Sequence, residues 1–113
     1  MKTVQPILLL ISIMALVVGS NAKTAVGTLE GTVIDLQGKG IAGATVMIQS
    51  SDGQHPHATR TDASGHFAFA HFATGQYDLR AYSGGSYSEW AKRITIRSQK
   101  PTQITLRISV SKS

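Results

Sequence analysis

Short runs of alternating apolar and polar residues fill the chain after residue 27, and clusters of Gly, Asp, Ser and Pro separate them. Side chains of a β-strand point alternately to opposite faces, so this period of two predicts strands with one buried face. No segment after residue 22 sustains the apolar period of a helix. The pattern predicts seven strands, over residues 28–34, 44–49, 58–61, 66–70, 76–82, 92–97 and 103–110.

The large apolar side chains of each predicted strand share one parity. Two sheets that face each other over these side chains would enclose one core. We therefore expect an all-β fold, a seven-stranded antiparallel β-sandwich that forms a single domain over residues 23–113. The residues expected between the two sheets are Val46, Ile48, Phe67, Phe69, Tyr77, Leu79, Ile94, Ile96 and Leu106.

Turn-forming residues mark the boundaries between these strands. Asp62 and Gly65 are expected to close a hairpin between Thr61 and Phe67, because Asp accepts hydrogen bonds from nearby backbone and Gly tolerates positive φ. Pro101 has no N–H to donate, so we place it outside the ladder, before the last strand.

Five segments follow one another along the chain: Leu29-Glu-Gly-Thr-Val33, Gly40-Ile-Ala-Gly-Ala-Thr-Val-Met-Ile48, Thr61-Asp-Ala-Ser-Gly-His-Phe-Ala-Phe69, Gly75-Gln-Tyr-Asp-Leu-Arg80 and Ile104-Thr-Leu106. Taken in order, these segments resemble the carboxypeptidase regulatory-like domain family. The resemblance covers nearly all of the chain after residue 22. It implies a sandwich of the transthyretin-like or starch-binding-like type, a carbohydrate-binding-like fold with prealbumin-like or immunoglobulin-like Greek-key topology. Domains of this family accompany metallocarboxypeptidases, outer-membrane receptors and secreted carbohydrate-active proteins, so the resemblance implies no peptidase activity.

Residues 1–22 have the organisation of a signal peptide. Lys2 precedes an apolar run over residues 7–18, and Ser20 and Ala22 are the small residues that signal peptidase accepts. We expect cleavage before Lys23 and export to the periplasm or the medium. The alternative is an uncleaved anchor, but twelve helical residues rise only about 18 Å, against a bilayer core of about 30 Å.

The sequence lacks the motifs of the common hydrolases. It has no cysteine, which excludes disulfides, thiolate metal sites, a cysteine nucleophile and a lipid-modified cysteine. It contains no His-x-x-Glu, His-Glu-x-x-His or Gly-x-Ser-x-Gly element. Most of its six acids, including Asp35, Asp52 and Asp62, lie in predicted turns rather than as a catalytic pair. We therefore expect a protein that is not an enzyme and needs no cofactor.

The segment 82–90 carries the only tryptophan and two of the three tyrosines. Aromatic faces in an exposed Gly/Ser loop can stack on sugar rings, and neighbouring polar side chains can bond the hydroxyl groups. Our candidate ligand-binding residues are Tyr82, Tyr87, Glu89 and Trp90. The same loop could bind a protein partner, or its aromatics could fold back to cap the end of the sandwich.

Two histidines flank a proline in a second polar loop. If this His-x-His segment is extended, His55 and His57 point to the same side and could bind zinc, copper or nickel, with Asp52 or His71 as a further ligand. The alternative is an ordinary solvated loop without a metal, which we expect to be its state.

Basic residues are concentrated in the last third of the chain. Residues 23–113 contain ten Lys and Arg against six Asp and Glu, a net charge of +4. In the last two predicted strands, Arg93, Arg97 and Arg107 alternate with the apolar residues and are therefore expected on one solvated face. If these two strands pair as a hairpin, the three arginines would be neighbours. Such a face could attract acidic glycans or anionic lipids, with nucleic acid excluded by export, or could simply keep the protein soluble.

The sequence thus leads to one main hypothesis and two rivals. The main hypothesis is a secreted, non-catalytic binding module whose ligand is a glycan or an exported protein. The first rival is a structural or accessory protein that docks on an envelope or secreted partner through a strand edge or the aromatic loop. The weaker rival is a metal-handling protein that uses His55 and His57. The oligomeric state is left open.

Overall fold

The computed structural model describes residues 24–109, which form two facing β-sheets. The expected signal peptide and its cleavage site before Lys23 lie outside the described residues. Among residues 24–109, no helix is long and apolar enough to cross a membrane. The strands are β1 (Val26–Ile34), β2 (Thr45–Ser50), β3 (His57–Arg60), β4 (His66–Ala73), β5 (Gly75–Ser83), β6 (Ser86–Tyr87), β7 (Ala91–Ile96) and β8 (Thr102–Arg107).

The predicted β-sandwich is confirmed, and two details of it differ. The seven predicted strands are present, with ends at most three residues from those expected, and the short β6 is an additional strand. One sheet has the order β4-β1-β8, and the other has the order β3-β2-β5, with both β6 and β7 paired to β5. Strands β1 and β8 run parallel, so the expectation of a wholly antiparallel sandwich is wrong for this pair.

The last two long strands do not form the expected hairpin. Strand β7 pairs with β5 in the five-stranded sheet, whereas β8 pairs with β1 in the three-stranded sheet. The connecting residues 97–101 carry the chain from one sheet to the other. At this crossing the Thr102 hydroxyl donates to the Thr95 carbonyl at 2.6 Å, which ties the start of β8 to β7.

The core lies between the sheets and follows the predicted parity. Of the expected core residues, Ile94 alone is only partly buried, because the register of β7 against β5 shifts just beside it. Phe67 and Phe69 meet edge to face with ring centroids 6.0 Å apart. The buried apolar residues are Leu29, Val33, Ala44, Val46, Ile48, Phe67, Phe69, Tyr77, Leu79, Ala81, Ile96, Leu106 and Ile108.

The turn between β3 and β4 links the two sheets. Asp62 donates its N–H to the His66 carbonyl at 2.9 Å, which closes the turn as expected. The expected hairpin is wrong, however, because β3 pairs with β2 and β4 pairs with β1. Gly65, at φ 88°, crosses close to Gly40, and a Cβ on Gly65 would lie 2.8 Å from the Gly40 Cα. The absence of a side chain at Gly40 and Gly65 therefore allows the two connecting segments to approach this closely.

Candidate functional site

A tight hairpin places two tyrosines side by side on the outer face of the five-stranded sheet. Along β5, Tyr77, Leu79 and Ala81 point into the core, so Tyr82 points outward. Gly84 and Gly85 both have positive φ, 57° and 81°, as a two-residue type I′ turn requires. This turn pairs Tyr82 directly with Tyr87, and their ring centroids lie 4.7 Å apart at an interplanar angle of 48°.

The chain after β6 is held against β5 by a buried serine. Ser88 donates its N–H to the Ala81 carbonyl at 2.8 Å, and its hydroxyl oxygen accepts the Ala81 N–H at 2.9 Å. The same hydroxyl donates to the Glu89 carbonyl at 2.9 Å. These bonds position the next residue, Trp90, over the outer face of the sheet rather than at the end of the sandwich.

Arg80 joins the aromatic side chains into one cluster. Its guanidinium carbon lies 3.8 Å from the Tyr87 ring centroid and 5.2 Å from the Trp90 ring. At such distances the negative face of an aromatic ring attracts the cation. The Arg80 Nε is buried and has no hydrogen-bond partner among the described residues. We call the group formed by Arg80, Tyr82, Tyr87 and Trp90 the aromatic surface.

The aromatic surface is open to solvent. Tyr82 is 39% exposed, Tyr87 52% and Trp90 37%. Beside Trp90 lies a shallow depression of about 310 Å³, lined largely by apolar groups that include Met47, Pro56 and Ala58. The surface can therefore offer ring faces to a ligand without any rearrangement of the core.

Three of the four candidate ligand-binding residues lie in this cluster. Tyr82, Tyr87 and Trp90 come together, whereas Glu89 is exposed beside them and has no part in the ring contacts. Arg80 was not among the candidates. The parity of β5, which places Arg80 and Tyr82 on the same face, is the signal that could have identified it.

The candidate metal ligands do not have the expected geometry. His55 has a φ of 54°, so the His-x-His segment is not extended at its first histidine. His55, His57 and His71 line one depression of about 370 Å³ together with Phe72. The His57 ring packs edge to face on Phe72 with centroids 5.2 Å apart. Within residues 24–109, no group of three or more His, Asp or Glu side chains could hold a metal ion.

The three arginines of the expected basic face are separated. Arg93 and Arg107 belong to different sheets, because β7 and β8 are not paired. Arg93 lies in a bulge at φ 59°, where its N–H donates to the Asp78 carboxylate at 2.9 Å. Arg97 instead lines a depression of about 270 Å³ with Lys100 and other residues. The prediction of one arginine face is therefore wrong.

Two of the turn carboxylates stabilise their own loops. Asp62 accepts N–H groups of Ser64 and His66 at 2.8 and 2.9 Å, and the His66 bond contributes most to a pKa below the ordinary value of 3.8. Asp52 accepts bonds from the Ser50 hydroxyl and the Gln54 N–H, and the Ser50 bond lowers its pKa most. Turn formation thus accounts for both carboxylates.

The fold is similar to that of several bacterial proteins. The minor pilin GBS52 of Streptococcus agalactiae matches with a TM-score of 0.68 and 19% identity, over 80% of this chain and 47% of that chain. The major pilin subunit BcpA of Bacillus cereus matches with a TM-score of 0.61 and 16% identity, over 77% and 31%. The chain therefore spans less than half of either pilin.

An enzyme domain has the same fold. The dioxygenase domain of a dioxygenase and carbohydrate-binding protein fusion from Streptomyces sp. SirexAA-E matches with a TM-score of 0.58 and 13% identity, over 81% of this chain and 84% of that chain. At identities this low the likeness shows the fold alone. No curated protein sequence matches the chain.

The family model for the carboxypeptidase regulatory-like domain matches residues 28–109. This match spans β1 to β8 and includes all the elements that carried the resemblance in the sequence. The chain belongs to the carboxypeptidase regulatory-like domain family.

Proposed function

We propose that this chain is an exported, non-catalytic binding module that holds a saccharide on the aromatic surface. The observation that carries the proposal is a cluster of three exposed aromatic rings, two of which contact one arginine. Export, expected from residues 1–22, would bring this surface to polysaccharides outside the cytoplasm.

The cluster has the chemistry that a neutral sugar requires. A sugar ring offers apolar C–H faces and a rim of hydroxyl groups, so it binds through stacked aromatics and a few fixed hydrogen bonds. Trp90 and Tyr87 supply the stacking faces. The guanidinium of Arg80, which lies against both of these rings, supplies N–H donors. Arg80 is pre-ordered, so binding a sugar loses little side-chain entropy.

The shape of the surface indicates the kind of saccharide. The rings lie on the outer face of a sheet beside a shallow depression, so they contact one side of a ligand and do not surround it. A single monosaccharide would bury little area there. We therefore expect an oligosaccharide chain whose successive rings lie across Trp90, Tyr87 and Tyr82.

A protein partner is the rival ligand for the same surface. Trp, Tyr and Arg are the residues that contribute most to protein interfaces. Arg80 could contribute to either kind of ligand, so direct measurement of saccharide binding distinguishes the two.

A glycan array followed by calorimetry on the oligosaccharides retained tests the proposal. Trp90→Ala should abolish binding, and Arg80→Gln should weaken it, while both variants keep the wild-type melting temperature within a few degrees. Leu36→Ala is the matched control, because Leu36 is an exposed apolar residue, 59% accessible, in the turn after β1. Retention of no saccharide, or unchanged affinity in Trp90→Ala, would refute the proposal.

A further inference from the structure

Five strands of the sandwich have an open edge among the described residues, and four of these edges are short or interrupted. Strand β6 has only two residues. Strand β3 is only four residues long and follows Pro56. Strand β4 contains His71 at φ 63°, close to a register shift against β1. Strand β7 contains the bulge at Arg93. Short, bulged edges are the usual protection against pairing with another chain.

The fifth edge, β8, has no such interruption. Its six residues pair with β1 in unbroken register, from Leu29 opposite Thr102 to Ile34 opposite Arg107. None of these residues has positive φ, and the strand contains neither glycine nor proline. Thr and Ile at its centre favour the strand conformation. Strand β8 is therefore a regular template for one more strand.

The ladder shows which groups of β8 face the open edge. Ile108, just after β8, donates its N–H to the Ile34 carbonyl of β1 at 2.9 Å. Along a strand of a parallel ladder, every second residue forms backbone hydrogen bonds to the same neighbouring strand, and the residues in between face the other side. By this alternation Ile104 and Leu106 bond to β1. Gln103, Thr105 and Arg107 then direct their N–H and C=O groups away from β1, toward solvent.

The charge near this edge selects the partner. Arg97 and Lys100 lie in the segment that leads into β8, and they line a depression of about 270 Å³ that contains no acidic residue. Arg107 ends the strand. Two copies paired edge to edge would bring these cations together, whereas acidic side chains on a partner strand would neutralise them.

We propose that the open edge of β8 accepts an extended, acidic segment of another protein as a fourth strand of the three-stranded sheet. Main-chain hydrogen bonds to Gln103, Thr105 and Arg107 would hold the segment, and carboxylates at its end would lie by Arg97 and Lys100. The site is separate from the aromatic surface, which belongs to the other sheet.

Amide hydrogen exchange followed by NMR tests this proposal directly. The probe is a synthetic peptide of alternating threonine and valine with two aspartates at each end, and the control peptide carries lysines instead. In the free protein the amides of Ile104 and Leu106 should be protected, while those of Gln103, Thr105 and Arg107 exchange fast. The acidic peptide should protect these three amides at least tenfold, and the lysine peptide should not.

Three results would overturn the proposal. The first is that the acidic peptide adds no protection to these three amides, and the second is that the lysine peptide protects them equally. The third is that, without peptide, protection of the Thr105 amide rises with the protein concentration. The last result would assign the edge to a second copy of the chain.

Substitutions at one position separate the edge from the rest of the fold. Thr105→Pro removes an N–H that faces the open edge and leaves the ladder with β1 intact, so peptide affinity should fall at least tenfold. Thr105→Val keeps the N–H and should bind as the wild type. Trp90→Ala should also retain peptide binding, which distinguishes this site from the proposed saccharide site. If Thr105→Pro does not fold, the exchange experiment on the wild-type protein still decides.

Discussion

Removal of the Phe67 ring should be among the most damaging single changes in this core. Phe67 is 5% exposed and meets Phe69 edge to face, a pairing worth about 0.5–1.5 kcal/mol beyond area burial. Its ring also covers Gly31, where an added Cβ would lie 2.8 Å from the Phe67 Cζ. Glycine has no side chain that could move into the space left by Phe67→Ala. We therefore expect a loss of about 3–5 kcal/mol in the free energy of unfolding.

Such a loss is a large fraction of the stability of a small domain, which is typically about 5–15 kcal/mol. Equilibrium unfolding in urea, followed by circular dichroism, measures it through the midpoint and the slope m. Leu36→Ala, at an exposed site, should change the free energy of unfolding by less than about 0.5 kcal/mol. A loss below about 1 kcal/mol for Phe67→Ala, with m unchanged, would contradict the register assigned to β4.

Three further predictions concern the backbone and pH. Arg93→Gly should raise the free energy of unfolding by up to about 1 kcal/mol, because glycine adopts the positive φ at this position of β7 without strain. The control Lys92→Gly should lower the free energy of unfolding. A lower free energy of unfolding in both variants would argue against strain at Arg93. Gly85→Ala and Gly38→Ala both place a side chain at φ above 80° and should lower the melting temperature to a similar extent. Only Gly85→Ala should weaken saccharide binding, because it disturbs the packing of Tyr82 on Tyr87. Asp62 has a lowered pKa in the folded state, so its contribution is present above about pH 4 and is lost as pH falls through the lower folded value. Asp62→Asn should reduce the dependence of the free energy of unfolding on pH below about pH 4, measured by urea unfolding at a series of pH values. An unchanged dependence would show that the hydrogen bonds of the turn do not favour the charged carboxylate.

Period-two patterning predicted seven of the eight strands and most of the core. In β4 and β5 the buried side chains, such as Phe69 and Leu79, alternate with exposed ones. Burial of one face is set locally by the sequence of a strand, so parity is informative there. Turn chemistry at Asp62 and Gly65 likewise marked a real turn.

Strand pairing could not be predicted in the same way. The segment 97–101 is long enough either to turn back as a hairpin or to cross to the other sheet, and the choice depends on the packing of the whole sandwich. The bulge at Arg93 likewise depends on contacts between strands. A non-glycine residue at positive φ has no compositional signal, and the Asp78 carboxylate that accepts its N–H lies on another strand.

The aromatic residues of the candidate site could be predicted from the sequence, but their arrangement could not. Aromatic composition identified Tyr82, Tyr87 and Trp90, because few segments of the chain contain large rings. Their arrangement around Arg80 requires the type I′ turn and the hydrogen bonds of Ser88, which involve residues on both sides of the loop. The positive φ at His55, by contrast, invalidated the geometry assumed for the histidine pair.

The most direct test of saccharide binding uses the single tryptophan of the chain, whose indole N–H gives one resonance in a ¹H–¹⁵N spectrum. Cello-, chito- and malto-oligosaccharides are titrated separately into the protein. We expect at least one series to shift the Trp90 indole resonance and the Tyr82 and Tyr87 amides saturably, with the β8 amides unmoved. An unmoved indole resonance in every titration, or shifts confined to other residues, would contradict the proposed function.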